Sequence, residues 1–240
     1  MSETSASQSE STRPPARSGN FRFSVAQFLA ALILLLVVAP SLDDLKDGDA
    51  IDGLLVTLVL IFGVLAVGSR RRTLILAVVL VLPAAMGKWV NLFRPELLSP
   101  VFHHVSAVVF IGFLEFQLLR FIFRAPRVNS EVLCAGISGY LLLGLLWMFA
   151  YALVSEMVPG SFAFNIGTSS TGPLERFNAY YFSFITLSTV GYGDITPYSH
   201  PARALATAEA MTGTLYMAVL ISRLVALYSS QTPESPERKD

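Results

Sequence analysis

The chain has 240 residues, of which 53% are hydrophobic and 14% are charged, and its mean hydropathy of +0.59 places it among membrane proteins. A formal net charge of zero argues against a nucleic acid partner. The single cysteine, Cys134, excludes an intrachain disulfide, and neither it nor the three histidines show the spacing of a metal site.

The two ends of the chain are polar. Residues 1–20 are rich in Ser, Thr and Pro, which predicts a disordered cytoplasmic tail, and residues 231–240 predict a second, short cytoplasmic tail. A cleaved signal peptide is the alternative for the start, because Arg22 and the apolar run after it imitate one. Pro40, directly after the small residue that would end such a signal, disfavours cleavage.

Between these ends the apolar pattern predicts an all-α membrane protein. A spanning helix needs about 20 mostly apolar residues. Six segments meet or approach this length: 21–40, 53–69, 73–93, 101–123, 132–155 and 202–228. The stretch 162–190 is too broken by polar residues and glycines to span, which favours a re-entrant segment surrounded by protein or by a water-filled path. Residues 156–175 predict an external loop before it.

The positions of Lys and Arg predict the orientation. If both termini are cytoplasmic, the outer side receives only Lys46, Lys88, Arg94, Arg176 and Arg203, and every other Lys and Arg lies inside. This bias follows the positive-inside rule for a protein of the plasma or inner membrane.

Some polar residues fall within the predicted spans. Glu115 either pairs with Arg120 or with a neighbouring helix, or it takes part in a functional motion, because ionisable groups at membrane depth are costly. His103 and His104 titrate near neutral pH in ordinary surroundings, so they either sense pH or simply lie at the membrane interface.

The most informative stretch is Thr189-Val190-Gly191-Tyr192-Gly193, followed by Asp194. Glycine adopts backbone conformations that residues with a Cβ rarely adopt, so this run lets successive carbonyl oxygens point at one axis. It is identified as a K⁺ selectivity filter, in which four such loops replace the hydration shell of the ion. Because the chain carries the motif once, a closed ring requires a homotetramer.

The resemblance to tetrameric potassium channels extends over residues 176–227. These residues hold an aromatic-rich short helix, the filter motif, an Asp, a Pro-containing link and a long apolar helix with a central glycine. The resemblance implies a pore helix at 180–188, and K⁺ ions as the only cofactor, bound at Thr189, Val190, Gly191 and Tyr192. The alternative is a Gly-rich turn between two membrane helices.

The same resemblance implies residues that support the filter. Tyr181 and Phe182 lie where such channels carry two aromatic residues that brace the filter from behind. Asp194 is expected to hydrogen-bond behind the filter mouth, with the Tyr181 hydroxyl as its partner. We expect Glu209 to be a buried acid of the last helix that bonds pore-helix hydroxyls such as Thr186 or Ser188, or one that only holds subunits together.

The last helix contains a candidate gating hinge at Gly213, although close helix packing would also select glycine there. If Gly213 faces the pore, the spacing of four residues places three apolar side chains on the same stripe. They would line the cavity and the cytoplasmic constriction: Met217, Ile221 and Val225.

Six helices with the filter between the fifth and the sixth form the layout of voltage-gated cation channels. Residues 101–119 nevertheless contain no Lys or Arg. Residues 21–127 therefore predict a four-helix region that resembles a voltage-sensor domain without its arginines, and residues 128–230 predict a pore domain.

These observations predict a K⁺-selective channel in a lipid bilayer that conducts passively and is not steeply voltage-gated. An enzyme is not expected, because no nucleophile–base pair, phosphate loop or metal cluster is present, and no soluble ligand is identifiable. A regulatory channel subunit and a weakly selective cation channel are the alternatives. A K⁺ transporter is disfavoured, because related transporters hold four degenerate filter segments in one chain.

Overall fold

The computed structural model describes residues 22–42, 48–67, 71–94, 96–165, 170–174 and 176–229. Within these residues the chain forms seven α-helices, a 3₁₀ turn at Ala39–Ser41 and three short strands. The helices are α1 (Arg22–Val38), α2 (Gly48–Val67), α3 (Arg71–Phe93), α4 (Pro100–Arg124), α5 (Ser130–Met157), α6 (Arg176–Leu187) and α7 (His200–Ser229). The predicted tails at 1–20 and 231–240 lie outside the described residues.

Five of the described helices are long and apolar enough to cross a membrane, namely α2, α3, α4, α5 and α7. The first helix is shorter than the predicted 21–40 span, because α1 has 17 residues and gives way to the 3₁₀ turn that contains Pro40. Proline has no amide hydrogen and fixes its φ angle, so it begins a new turn more readily than it continues a helix.

The predicted four-helix region and the predicted pore domain share one apolar core. Phe28 of α1 and Phe110 and Leu114 of α4 are almost fully buried, and Leu142 of α5 belongs to the same cluster. Asn129 begins α5 by accepting a hydrogen bond from the amide of Val132 at 3.0 Å, as an N-terminal cap does.

A second link joins α7 to the end of α4. The Nη2 atom of Arg223 donates to the carbonyl oxygens of Phe123 and Ala125, each at 3.1 Å. The last carbonyls of a helix have no partner within that helix, so the guanidinium satisfies groups that α4 leaves open.

The helix α6 begins four residues earlier than the predicted 180 and ends at Leu187. It packs between α5 and α7. Gly144 of α5 permits this approach, since a Cβ at that position would lie only 2.5 Å from the Phe184 ring. The Ser183 hydroxyl lies 2.7 Å from the Gly144 carbonyl oxygen at the same crossing.

The predicted external loop contains part of a small antiparallel sheet. Strand β1 (Phe162–Phe164) lies between β2 (Ser170–Gly172) and β3 (Ile195–Pro197), and Phe164 pairs with Ile195. Strands of three residues leave too short an alternation to be recognised in sequence. The sheet ties the chain before α6 to the chain directly after the filter motif.

Candidate ion-conduction site

The predicted filter segment, residues 189–193, turns back against α6, the helix that precedes it. The amide of Thr189 donates to the carbonyl of Thr186 at 2.9 Å, and the amides of Val190 and Gly191 donate to the carbonyl of Ile185 at 2.9 and 3.1 Å. Among the described residues, none donates a hydrogen bond to the carbonyl oxygens of residues 189–192. The amides of residues 189–191 are therefore bonded to α6, and the carbonyl oxygens of residues 189–192 remain available to a ligand.

Every second residue of the motif has a left-handed backbone. The φ angles are 59° at Thr189, 52° at Gly191 and 80° at Gly193. Alternation of left-handed and ordinary conformations rotates neighbouring peptide planes, as is required to bring successive carbonyl oxygens to one side. For Thr189, which is β-branched, this conformation costs about 1–3 kcal/mol, and such strain is typical of functional sites.

The mouth of the segment is held by Asp194. Its Oδ2 atom accepts a hydrogen bond from the Tyr181 hydroxyl at 2.7 Å, and its Oδ1 atom accepts from the amide of Ile195 at 3.0 Å. The contact expected between Asp194 and Tyr181 is therefore present. This hydrogen bond raises the pKa of Tyr181 to about 12, so the phenol remains a donor at physiological pH.

The Tyr181 ring also stacks on the ring of Tyr192, with centroids 6.5 Å apart and planes 6° from parallel. Phe182 does not share this position, contrary to the prediction. Its ring lies edge-on to Tyr151 at 4.9 Å and to Phe162 at 5.5 Å, so it packs towards α5 and β1. Consecutive residues of a helix point in directions about 100° apart, and in this chain the second of the two rings is directed towards α5 and β1.

Asn165, which was not predicted, completes the mouth. Its side-chain amide donates to the carbonyl of Gly193 at 2.8 Å and to the Thr196 hydroxyl at 3.2 Å, and its backbone amide donates to the carbonyl of Asp194 at 2.7 Å. Asn165 follows β1 directly, and β1 pairs with β3. The pairing of these two strands therefore positions Asn165, and no local sequence motif predicts this position.

Glu209 of α7 is fully buried behind α6. Its Oε2 atom accepts a hydrogen bond from the Tyr151 hydroxyl at 2.5 Å, and its Oε1 atom lies 2.6 Å from the Ser183 hydroxyl. Ser183 is a pore-helix hydroxyl, as expected, but the predicted partners Thr186 and Ser188 are wrong. Ser188 instead donates to the carbonyl of Phe184 at 2.6 Å.

The register of α6 and α7 explains this correction. Gly213 of α7 lies beside Leu187 of α6. Four positions earlier on each helix, which is about one turn, Glu209 of α7 contacts Ser183 of α6. The two helices run in the same direction here, so Thr186 and Ser188 lie near the level of Gly213.

The proton count of this network favours a neutral Glu209. A serine hydroxyl has one proton, yet Ser183 lies within hydrogen-bond distance of both the Gly144 carbonyl and Glu209. Both contacts are satisfied if a protonated Glu209 donates to Ser183 and Ser183 donates to Gly144. A carboxylate without a cationic partner would also be costly at this depth.

Gly213 is buried against the end of α6. A Cβ at this position would overlap the carbonyl oxygen of Leu187 and would lie 2.8 Å from its Cδ1 atom. The premise that Gly213 faces the pore is therefore wrong, and close packing accounts for the glycine in this conformation. The predicted pore-lining residues remain uncovered by the described chain, with exposed fractions of 41% for Met217, 53% for Ile221 and 59% for Val225.

Alanine at Gly213 is expected to destabilise the protein by about 1–3 kcal/mol, because a side chain forced into a packed contact displaces its neighbours. K⁺ flux should fall as the end of α6 moves. Thermal unfolding and liposome flux measure both effects. Gly112→Ala in α4 is the matched control, since the nearest atom to its Cβ would be 3.9 Å away. Equal behaviour of the two variants would refute the packing role.

Phenylalanine at Tyr181 removes the donor to Asp194 and keeps the ring. We expect K⁺ over Na⁺ selectivity to fall about tenfold, which corresponds to one hydrogen bond of about 1.4 kcal/mol. Reversal potentials measure this ratio. Tyr180→Phe is the control, because the Tyr180 hydroxyl donates to Leu36 of α1 at 3.3 Å, away from the filter segment. Unchanged selectivity in Tyr181→Phe would contradict a supporting role.

Glu115 lies among α4, α5 and α7, and neither of its carboxyl oxygens has a hydrogen-bond partner among the described residues. A pairing with Arg120, one of the alternatives for this residue, is absent from this part of the chain. Both carboxyl oxygens lie close to Gly139 of α5, at 3.2 and 3.3 Å from the position that a Cβ would take there. The hydroxyl of Tyr216 lies next to the same position. Tyr216 donates to the carbonyl of Gly136 at 2.7 Å.

Comparison with known proteins gives a family match over the region just described. A family model described as "Ion channel" matches residues 145–230. Two-pore potassium channel 4 of Arabidopsis thaliana is 41% identical over 49 residues, which are 20% of this chain and 17% of that protein. The inward rectifier potassium channel Kirbac3.1 of Paramagnetospirillum magnetotacticum is 31% identical over 97 residues, which are 39% of this chain and 28% of that protein.

A third relative is the voltage-gated potassium channel regulatory subunit KCNG2 of Gallus gallus, which is 30% identical over 103 residues, or 40% of this chain and 19% of that protein. The chain spans less than a third of the length of these relatives. No solved structure is detectably similar to it.

The apolar helices support a membrane protein, and residues 145–230 are similar to the ion-channel family. The potassium channel relatives further support a potassium channel family and point to a channel rather than an enzyme.

Proposed function

We propose that this protein is a homotetrameric channel that conducts K⁺ passively and selectively across the plasma or inner membrane, with both termini in the cytoplasm. Four copies of residues 189–193 surround the ion path, and K⁺ binds at Thr189, Val190, Gly191 and Tyr192. The observation that carries this proposal is the backbone of that segment. The amides of residues 189–191 bond to α6, the φ angles of the segment alternate, and its carbonyl oxygens up to Tyr192 accept no hydrogen bond from the described residues.

The uncovered apolar surface supports the tetramer. The side chains of Val190 and Tyr192 are 52% and 72% exposed in the single chain, and Met211 and Leu215 of α7 are each 60% exposed. In a tetramer, neighbouring subunits cover these side chains. A single chain supplies one wall of the ion path, so conduction requires the assembly.

The remaining helices complete six spans in this proposal, with α1 as the sixth beside the five longer helices. The region 21–127 surrounds the pore without acting as a steep voltage sensor. Moving one charge through the membrane field is worth about 2.3 kcal/mol per 100 mV, and residues 101–119 carry no Lys or Arg side chain to move.

Voltage is therefore expected to change the open probability only weakly. Conductance measured against voltage should give an effective gating charge below about one per subunit, whereas an arginine-rich sensor moves about three to four. A steep curve would contradict this expectation and would mean that Arg120 and Arg124, at the end of α4, enter the field.

Purified protein reconstituted in liposomes tests the proposed function. We expect a mass of four chains in detergent and a K⁺ flux that greatly exceeds the Na⁺ flux under matched gradients. Tetramers without flux would favour a regulatory subunit, and equal K⁺ and Na⁺ fluxes would favour a weakly selective cation channel. Either result overturns the proposal of a selective K⁺ channel.

A further inference from the structure

The helices α1 to α4 are here called the peripheral helices. A cavity of about 610 Å³ lies away from the filter segment, between these four helices and the helices α5 and α6. Its volume is in the range of sites that bind small organic molecules, which is about 300–1,000 Å³. Phe177 and Tyr180 of α6 form part of its wall. The interior of the fold therefore has room for a ligand beside the helix that supports the filter.

The lining of this cavity is polar at one end and apolar at the other. The polar side chains come from the ends of the helices that lie on the side of the filter mouth: Asp49, Asp52, Lys88, Asn91, His103, His104 and Glu156. Deeper positions on the same helices are apolar, among them Leu60, Leu114 and Leu142. At 1.5 Å per residue, Leu60 lies about 12 Å deeper than Asp52, and Leu142 lies about 21 Å deeper than Glu156.

Glu156 supplies a negative charge at the polar end. Asp49, Asp52 and Glu156 contribute carboxylates, and Lys88 contributes the ammonium group of the lining. Lys88 donates to Asp52 at 2.5 Å, so these two charges compensate each other. Glu156 is exposed and forms no ion pair with any described residue.

Aromatic rings pack against one another at the same end. The rings of His103 and His104 lie 5.8 and 6.1 Å from the ring of Phe149, which also lines the cavity. A cation is attracted to the face of an aromatic ring as well as to a carboxylate.

We propose that this cavity binds a cationic amphiphile, that is, a protonated amine with an elongated apolar body. The ammonium group lies at the polar end near Glu156, and the apolar body extends towards Leu114 and Leu142. An anionic amphiphile of the same length is repelled by Glu156, and a neutral one loses the attraction to this carboxylate. The proposal concerns binding alone and does not depend on K⁺ conduction.

Photolabelling of the purified full chain tests the site. The probe is decylamine that carries a diazirine on its chain, and labelled residues are identified by mass spectrometry with and without an excess of unlabelled decylamine. We expect saturable labelling of cavity residues on α2, α4 and α5. Unlabelled decylamine should compete at least about tenfold better than decanol or decanoate.

Two pairs of variants sharpen this experiment. Glu156→Gln should lower the affinity for decylamine about tenfold and leave the affinity for decanol unchanged. Glu96→Gln, at an exposed position outside the lining, should change neither affinity. Leu114→Trp fills the deep end and should abolish saturable labelling, whereas Val109→Trp, on a 50% exposed face of α4, should preserve it. If Leu114→Trp does not assemble, Ala107→Leu narrows the same cavity with a smaller change of volume.

Three results would overturn the proposal: equal competition by decylamine and decanoate, an unchanged decylamine affinity in Glu156→Gln, or labelling that does not saturate and falls on lipid-facing residues such as Val109.

Discussion

Alanine in place of Gly193 is expected to abolish selective K⁺ conduction. Gly193 has a φ angle of 80°, and an L-residue with a Cβ pays about 1–2 kcal/mol in this left-handed region. A closed ring would contain the substitution four times, so the segment relaxes towards another conformation and its carbonyl oxygens leave the ion path. We expect the permeability ratio of K⁺ to Na⁺ to fall by more than about tenfold.

Gly160 provides a matched control for backbone strain. It has a φ angle of 75°, and, as at Gly193, no atom lies within 4 Å of its Cβ position, but it belongs to the turn after α5. Gly160→Ala should lower stability by a similar amount and leave the permeability ratio unchanged. Reversal potentials of reconstituted protein measure that ratio. If Gly193→Ala remains as selective as the unsubstituted protein, residues 189–193 are not the filter.

Leucine in place of Glu209 is expected to destabilise the protein strongly. The hydroxyls of Tyr151 and Ser183 would lose their partner in a buried position, and each unsatisfied group costs about 1–3 kcal/mol. Because Ser183 lies on α6, we also expect K⁺ flux to fall. Thermal unfolding of the purified protein in detergent, measured together with liposome flux, tests both effects.

Glu209→Gln separates hydrogen bonding from charge. Its amide nitrogen can donate to Ser183 and its oxygen can accept from Tyr151, so it reproduces the bonds of a neutral acid. We therefore expect stability and flux close to those of the unsubstituted protein. Glu96→Leu, an exposed change of the same type, should be nearly neutral. A Glu209→Gln variant as damaged as Glu209→Leu would mean that Glu209 is ionised in the folded protein.

The parts of the site that could be predicted are those whose residues form a contiguous sequence motif. Residues 189–193 and Asp194 were recognisable because backbone geometry needs glycine at defined spacings. The short helix before them follows from its aromatic and apolar residues. The contact of Asp194 with Tyr181 connects positions 13 residues apart within this motif, so the resemblance to potassium channels was sufficient to predict it.

Contacts between distant segments could not be predicted in the same way. Asn165 reaches Gly193 only because β1 pairs with β3, and three-residue strands leave no periodic signal. Tyr151 meets Glu209 across 58 residues of sequence, so the crossing of α5 and α7 decides that contact. The helical spacing did place Gly213 one turn from Glu209, but it could not tell whether that face meets α6 or open space.

The two hydrogen bonds from Arg223 to the end of α4 have a mechanical consequence. Any displacement of the last third of α7 away from α4 must either break both bonds or carry the end of α4 with it. The end of α4 is thus tied to α7, although residues 101–119 carry no Lys or Arg for an electric field to move. A force on the end of α4, such as one from a change in bilayer thickness, would be transmitted to α7 for as long as these two bonds hold.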